Sequence, residues 1–202
     1  MLGGEISQMF ESKEKHHYEA SSELKLVPYQ RAEDIPMTEA RRLLSAHVGW
    51  AYHEFRALGA PDFDVSDHID RFFGHLPQVL PPEGAYFLAH GADGHAVGTG
   101  ALRRVSRDTA EMKHLYVSPE VRGRGLGRRL IEARIAAARA LGVKTLVADT
   151  FRGNVPMINL YRTLGFQDAA PYNSAVASIT PQLIPHLHYF RMELGEAQPT
   201  HI

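Results

Sequence analysis

A glycine-rich turn between a predicted strand and a predicted helix constrains the fold of this chain more than any other feature. Strand-forming residues fill 109–117, and apolar residues recur at helical spacing over 125–141. Backbone amides at the start of such a helix have no internal partner, and the helix dipole favours an anion there. Glycines in the turn let a phosphate approach the backbone, and arginines add positive charge. The candidate phosphate-binding residues are Arg122, Gly123, Arg124, Gly125, Leu126, Gly127 and Arg128.

The spacing of these glycines excludes the two commonest nucleotide-binding motifs. A dinucleotide-binding turn needs G-x-G-x-x-G, but counting from Gly123 the last position is Arg128. A P-loop needs Lys followed by Ser or Thr after its second glycine, and no register supplies that pair. The turn therefore predicts a phosphate ligand of another kind.

Turn and capping signals divide the rest of the chain into short strands and amphipathic helices. A hairpin turn at 91–94 joins two predicted strands, and a strand-helix-strand crossover follows. This order predicts an α/β fold, a mixed and mostly antiparallel central sheet flanked by helices. The predicted strands are 24–28, 85–89, 96–102, 109–117, 145–148 and 188–194, and the predicted helices are 36–58, 64–76, 125–141 and 155–164.

The chain of 202 residues divides into a tail and one domain. Residues 1–22 are rich in Glu, Lys, Ser and His without an apolar period, which predicts a flexible extension. Residues 23–202 show no internal repeat and no linker, and their length suits a single domain.

The glycine turn resembles the acyl-CoA pyrophosphate loop of the GNAT superfamily of N-acyltransferases, written R/Q-x-x-G-x-G/A. Arg122-x-x-Gly125-x-Gly127 matches every fixed position of that pattern. Residues 154–166 resemble a later family helix, N-x-x-A-I-x-L-Y-x-x-x-G-F, with Met157 where a small residue is usual.

Two further segments carry the resemblance. Residues 111–117 look like the strand before the loop, and 171–173 resemble a Pro-Tyr segment that a subset of the family has before its last strand. The resemblance covers about residues 24–194 and is strongest at 109–166.

The resemblance implies an N-acetyltransferase that moves the acetyl group of acetyl-CoA directly to a primary amine of a small molecule or amino-acid-like acceptor. In the family, strand backbone before the loop binds the pantetheine arm, a role that falls on Leu115, Tyr116 and Val117. Tyr161 matches the tyrosine that protonates the CoA thiolate, and Asn154 is expected to contact the cofactor arm. An alternative is a CoA-binding member without catalysis that acts as a sensor or an interaction protein.

The base and the acceptor contacts are less constrained by the resemblance. Histone-type members place a glutamate eleven residues before the loop, and Glu111 precedes Arg122 by that interval. Glu111 is therefore the candidate base, and an ion pair with Lys113 or an arginine is the alternative. Family geometry suggests acceptor contacts from Trp50 and Tyr172, with Tyr52 and His53 as further candidates.

Composition argues against several other classes of protein. The net charge of −1 disfavours a nucleic-acid-binding protein, although arginines at 103–107 and 122–129 keep that rival open. The chain has no cysteine, and its twelve histidines lack a carboxylate cluster at ligand spacing, so we expect no metal. Charges and prolines interrupt every apolar stretch, and no secretory signal is recognisable, so we expect a cytoplasmic protein without membrane contact. Because dimers are common in the family, a homodimer is a further expectation.

Overall fold

One mixed β-sheet organises the fold and carries helices on both faces. The computed structural model describes residues 24–60, 64–172 and 181–195, so the extension predicted at 1–22 lies outside the described residues. The helices are α1 (Met37–Ala57), α2 (Val65–Gly74), α3 (Leu126–Ala140) and α4 (Val155–Thr163). The strands are β1 (Lys25–Tyr29), β2 (Gly84–His90), β3 (Ala96–Arg104), β4 (Thr109–Val117), β5 (Thr145–Phe151), β6 (Gln167–Ala169) and β7 (Leu187–Glu193).

Within the described residues, the sheet has seven strands in the order β1-β2-β3-β4-β5-β7-β6. Of the pairings among these strands, β4 with β5 is parallel and the other five are antiparallel. The parallel pairing follows from the chain path, because α3 carries the chain back across the sheet between the two strands. These features confirm the predicted mixed, mostly antiparallel sheet.

Two buried clusters separate the helices onto opposite faces of the sheet. α3 and α4 pack on one face, where Ala85, Phe87 and Ala89 of β2 point. α1 and α2 pack on the other face, where Tyr86 and Leu88 point. Both faces of β2 are therefore buried, which explains why its sequence is continuously apolar instead of alternating.

The parallel ladder between β4 and β5 stops early and leaves a gap in the sheet. Its last paired residues are Glu111 and Val147, although β4 continues to Val117 and β5 to Phe151. A register irregularity against β3 and a positive φ of 50° at His114 bend β4 beyond this point. The gap between the two strand ends positions the candidate site.

Two details of the expected fold need correction. β5 does not end at residue 148 but runs to Phe151, because its antiparallel pairing with β7 continues to Leu187 and keeps the polar Asp149 and Thr150 in the strand. The buried face of α3 contains Arg134 in addition to its apolar residues, and this side chain is fully buried. Asp64 caps the start of α2 and accepts hydrogen bonds from the backbone amides of Ser66 and Asp67.

Candidate active site

An outer groove runs along the end of β4, the glycine turn and the start of α4. It has about 1320 Å³ of empty volume up to its open mouth. Among the sequence-predicted cofactor residues, those that line it are Leu115, Tyr116, Val117, Arg122, Gly123, Gly125, Leu126, Gly127, Arg128 and Asn154. Arg124 is exposed on the same turn, outside the lining of the groove.

The conformation of the turn leaves the backbone amides of α3 accessible. Gly123 and Gly125 have φ values of 78° and 77°, which side-chain-bearing residues rarely adopt. Gly125 precedes the first turn of α3, and no described side chain caps that helix start. Arg122 donates from Nε to the carbonyl of Val117 at 3.0 Å, which ties the turn to the end of β4. The turn thus presents unpaired amides and arginine charge to the groove, a combination suited to phosphate.

An inner cavity lies behind the groove, on the α1 side of the gap between β4 and β5. Its empty volume is about 770 Å³ when the open space at its mouth is included. The two spaces share five lining residues, so they adjoin at the gap: Trp50, Leu115, Phe151, Asn154 and Met157. The polar side chains that line only the inner cavity are His47, Tyr52, His68, Lys113, His114, Asp149, Thr150 and Tyr161.

Tyr161 reaches the inner cavity from α4 and is 3% exposed. Its ring packs against Phe166 and Phe190, with centroids 4.9 and 5.0 Å away. Burial raises the pKa of Tyr161, whereas the positive charge of Arg134 lowers it. The hydroxyl is therefore largely buried, with a cation beside it.

Arg134 is buried beneath the bend of β4. Its Nη1 donates to the carbonyls of Ala101 and Lys113 at 3.4 and 3.3 Å, while its Nη2 has no hydrogen-bond partner among the described residues. A side chain at Gly100 would place Cβ 3.2 Å from Nε of Arg134, so this glycine makes room for the guanidinium. Burial lowers the pKa of Arg134. The guanidinium thus donates hydrogen bonds to carbonyls near the irregular part of β4, and it also lies next to Tyr161.

Glu111 lies on β4 with its side chain 1% exposed and both oxygens paired. Nη2 of Arg103 donates to Oε2 at 2.9 Å, and Nζ of Lys113 donates to Oε1 at 3.4 Å. Lys113 lines the inner cavity, whereas Glu111 is not among the lining residues. The candidate base is therefore placed in the ion pairs that were its alternative reading, and its catalytic role stays a prediction.

Three histidines surround the α2 side of the inner cavity. The rings of His47 and His68 lie 5.8 and 5.4 Å from that of His114. Burial lowers the pKa of His47 and of His68 to about 4, and the charge of Lys113 contributes to both shifts. Burial and then Lys113 lower the pKa of His114 as well. All three rings are therefore neutral at pH 7.

The remaining predicted residues are divided between the site and its surroundings. Asn154 caps α4 by accepting from the amide of Met157, and it also lines both spaces. Trp50 packs edge-on against Phe151 at 5.1 Å where groove and cavity meet. Tyr172 packs against Tyr189, outside the lining of the cavity, and burial raises its pKa. His53 is exposed on α1 and does not reach the cavity, which corrects its expected position.

Other features bear on the expected ligands and partners. Within the described ranges, no group of three or more His, Cys, Asp or Glu side chains is placed to hold a metal ion. No helix of the described chain is long and apolar enough to cross a membrane. The arginines expected to form one basic group are partly engaged inside the protein, since Arg104 and Arg129 donate to the carbonyls of Leu141 and Leu24.

Comparison with known proteins agrees with this geometry. Residues 50–166 match the Acetyltransferase (GNAT) family. An uncharacterized N-acetyltransferase of Schizosaccharomyces pombe is 33% identical over 136 residues, which are 67% of this chain and 79% of that protein. An IAA acetyltransferase of Azospirillum brasilense is 33% identical over 120 residues, which are 52% of this chain and 76% of that protein.

Solved structures share the fold at low sequence identity. A GNAT-family acetyltransferase from Staphylococcus aureus matches with a TM-score of 0.63 and 17% identity, over 85% of this chain and 99% of that one. A putative acetyltransferase from Salmonella typhimurium, solved with acetyl-CoA, matches with a TM-score of 0.55 and 19% identity, over 90% of this chain and all (100%) of that one. The fold and the site together define an acyl-CoA-dependent acetyltransferase. The chain belongs to the GNAT family of acetyltransferases.

Sequence reasoning missed the polar lining of the inner cavity. From the sequence, Lys113 is expected only as an ion-pair partner of Glu111, and nothing there gives a site role to His47, His68, His114 or Asp149. These residues come from α1, α2, β4 and β5, and no local motif joins them. The one available signal was the run of polar residues at 149–150 directly after an apolar strand.

Proposed function

We propose that this enzyme transfers the acetyl group of acetyl-CoA directly to a primary amine of a small-molecule acceptor. The observation that carries the proposal is the meeting of the outer groove and the inner cavity at the gap between β4 and β5. Names of relatives support a small acceptor, since one is an IAA acetyltransferase and another is an aminoglycoside N(6′)-acetyltransferase of Stenotrophomonas maltophilia.

The groove fits the parts of acetyl-CoA. The amides of Leu126, Gly127 and Arg128 at the start of α3 would hold the pyrophosphate, and the side chains of Arg122 and Arg128 would add charge. The edge of β4 from Leu115 to Val117 has no ladder partner on the β5 side, so its backbone is available to the pantetheine arm. Asn154 lies at the junction of groove and cavity, beside the expected path of that arm.

The transfer forms a C–N bond and breaks a C–S bond, so one proton leaves the amine and one reaches sulfur. Bound acetyl-CoA supplies the activated acetyl group and the leaving thiolate. Tyr161 is the proposed proton donor, because its hydroxyl is buried at the inner cavity and its conjugate anion lies beside Arg134. Solvent returns the proton to Tyr161 between turnovers.

Two carboxylates are candidates for handling the amine. Asp149 is the one carboxylate among the described lining residues of the inner cavity, and we propose that it holds the acceptor amine. Glu111 remains the sequence-based candidate for the base. Because Lys113 and Arg103 each donate to one oxygen of Glu111, a direct role would have the acceptor amine share these oxygens with the two cations. Trp50 at the cavity entrance and Tyr172, which packs against Tyr189 near the start of β7, are proposed to bound the acceptor.

Binding of acetyl-CoA tests the groove, and two glycine variants provide a matched pair. Gly125 lies in the groove with φ of 77°, whereas Gly142 ends the α3 segment with φ of 71° and lies outside it. Alanine at either position strains the backbone by about 1–2 kcal/mol. We expect Gly125→Ala to weaken acetyl-CoA binding about tenfold and Gly142→Ala to leave it unchanged, as measured by titration calorimetry.

Catalysis is tested by thiol release with a panel of primary amines. Wild-type protein at about a hundred times the dissociation constant of acetyl-CoA gains roughly 2.7 kcal/mol of stability, which thermal unfolding detects. Stabilisation together with thiol release supports the proposed enzyme. Stabilisation without release from any amine would favour the non-catalytic alternative, and no stabilisation at millimolar acetyl-CoA would refute the cofactor site.

The proposal includes a cytoplasmic location and, as a separate point, a homodimer. Fractionation of host cells tests the location. Light scattering at micromolar concentration tests the dimer, which the absence of a monomer mass would support.

A further inference from the structure

Three charged side chains next to the inner cavity do not balance. Glu111 is the single carboxylate in contact with two cations, Arg103 and Lys113. The side chain of Glu111 is 1% exposed and that of Lys113 is 9% exposed, so both charges are largely removed from water. Glu111 therefore shares one negative charge between Lys113 and the 27% exposed Arg103, and a buried cation with only part of a counter-charge is costly.

Lys113 brings this partly balanced charge to the cavity wall. Among the described residues, Glu111 is its one hydrogen-bond partner, at 3.4 Å, and an ammonium group can donate three hydrogen bonds. Its cavity neighbours His47, His68 and His114 provide no negative charge, because imidazoles are neutral or cationic. The Lys113 side of the cavity therefore has positive potential and spare donor capacity.

The opposite wall carries the opposite charge. Asp149 on β5 lines the same cavity, and its carboxylate is close enough to Tyr161 to raise the pKa of that hydroxyl, although burial is the larger cause. Alternation along the strands places Lys113 and Asp149 on the same face of the sheet, on either side of the gap. Lys113 on β4 and Asp149 on β5 thus place side chains of opposite charge on the two strands that border the gap, where the proposed acetyl transfer occurs.

We propose that the acceptor carries a carboxylate that binds Lys113, so that the substrate class is a small amino acid or a closely similar amine with an acid group. This inference rests on the proposed function, and it adds a subsite that recognises the acid. The acceptor amine lies towards Asp149 and Tyr161, and its carboxylate completes the charge balance of Lys113, Arg103 and Glu111. A charge-assisted hydrogen bond of this kind is stronger than a neutral one and is directional.

Lys113→Met is the matched change, since it removes the ammonium group while keeping a long unbranched side chain. It leaves Glu111 and Arg103 as a balanced pair, so the fold should tolerate it. Lys144→Met is the control, because Lys144 also pairs with one acid, Asp108 at 4.0 Å, but lies 69% exposed on the surface. Thermal unfolding verifies that both variants fold.

The first experiment measures binding without turnover. Phenylacetate, 3-phenylpropionate and butyrate are titrated into the CoA-loaded protein, each beside its neutral amide. We expect wild type and Lys144→Met to bind at least one acid at least tenfold more tightly than its amide, and Lys113→Met to lose this preference. If no acid is preferred over its amide by wild type, or if Lys113→Met keeps the preference, the carboxylate subsite is wrong.

The second experiment measures thiol release with phenylalanine, phenylalaninamide and 2-phenylethylamine, and with the corresponding sets for leucine and alanine. We expect wild type to favour the amino acid in kcat/KM at least tenfold, and Lys113→Met to lower the value for the acid while sparing the neutral amine. Preference for the neutral amine overturns the inference but leaves the proposed acetyltransferase intact. Failure of acetyl-CoA itself to bind, in contrast, would refute the proposed function.

Discussion

At the scale of single residues, the ion pairs of Glu111 offer a second explanation for a residue that the sequence predicts to be a general base. Its position eleven residues before Arg122 suits a general base. In the folded protein, however, Arg103 and Lys113 bind its two oxygens at 2.9 and 3.4 Å. A carboxylate in this position can neutralise buried charge, act as a general base, or do both. Loss of the first role lowers stability, whereas loss of the second lowers turnover.

Glu111→Gln separates these roles. The neutral amide leaves Arg103 and Lys113 without a counter-charge, and we expect a loss of about 3 kcal/mol in the free energy of unfolding, the lower end for breaking a buried pair. Urea denaturation measures this loss. The double variant Glu111→Gln with Lys113→Met removes one unpaired cation and should recover part of it. Unchanged stability with turnover reduced a hundredfold would instead support Glu111 as the base.

At the scale of an element, α3 supplies the site from both its start and its middle. Its first turn presents amides to the groove, and two turns later Arg134 extends under the bend of β4 to Tyr161. Helical periodicity placed the apolar residues of this helix correctly. The burial of Arg134 depends on Gly100 of β3, which is distant in sequence.

Replacing Arg134 tests whether α3 also supports proton transfer. We expect Arg134→Met to lower turnover about tenfold with little change in acetyl-CoA affinity, because the pKa of Tyr161 rises when the neighbouring charge is removed. Arg129→Met is the control, since Arg129 lies on the same helix and donates to the carbonyl of Leu24. Rates are compared by thiol release across pH.

Introducing Arg134→Met into the Tyr161→Phe variant tests whether Arg134 acts through Tyr161. In that variant there is no hydroxyl for Arg134 to influence, so adding Arg134→Met should cause little further loss of turnover. Additive losses would mean that Arg134 acts through the fold of β4 and not through Tyr161.

At the scale of the whole molecule, the buried histidines couple stability to pH. His47 and His68 have pKa values of about 4 in the folded protein, chiefly because of burial, against about 6.5 in an unfolded chain. Below pH 6.5 the unfolded chain therefore binds protons that the folded protein does not. The stability that these histidines contribute is complete above pH 6.5 and is lost as the pH falls towards 4.

We expect the free energy of unfolding to fall between pH 6.5 and 4.5, with each such histidine contributing at most about 1.4 kcal/mol per pH unit. Urea denaturation at several pH values measures the slope. His68→Gln should make the slope shallower, whereas His53→Gln, a change at an exposed residue of α1, should not. Equal slopes for His68→Gln and wild type would contradict this explanation.

The sequence by itself determined the features that depend on neighbouring residues. The glycines and arginines of the turn, the hairpin and the periods of the helices are local, so the order of elements and the residues of the outer groove could be predicted. The early end of the β4–β5 ladder, the charges of Lys113 and Asp149 across the gap, and the burial of Arg134 were decided only by the tertiary structure. They arise where segments distant in sequence pack together, because strand pairing and the space beside Gly100 set the burial and the charge partners of these residues.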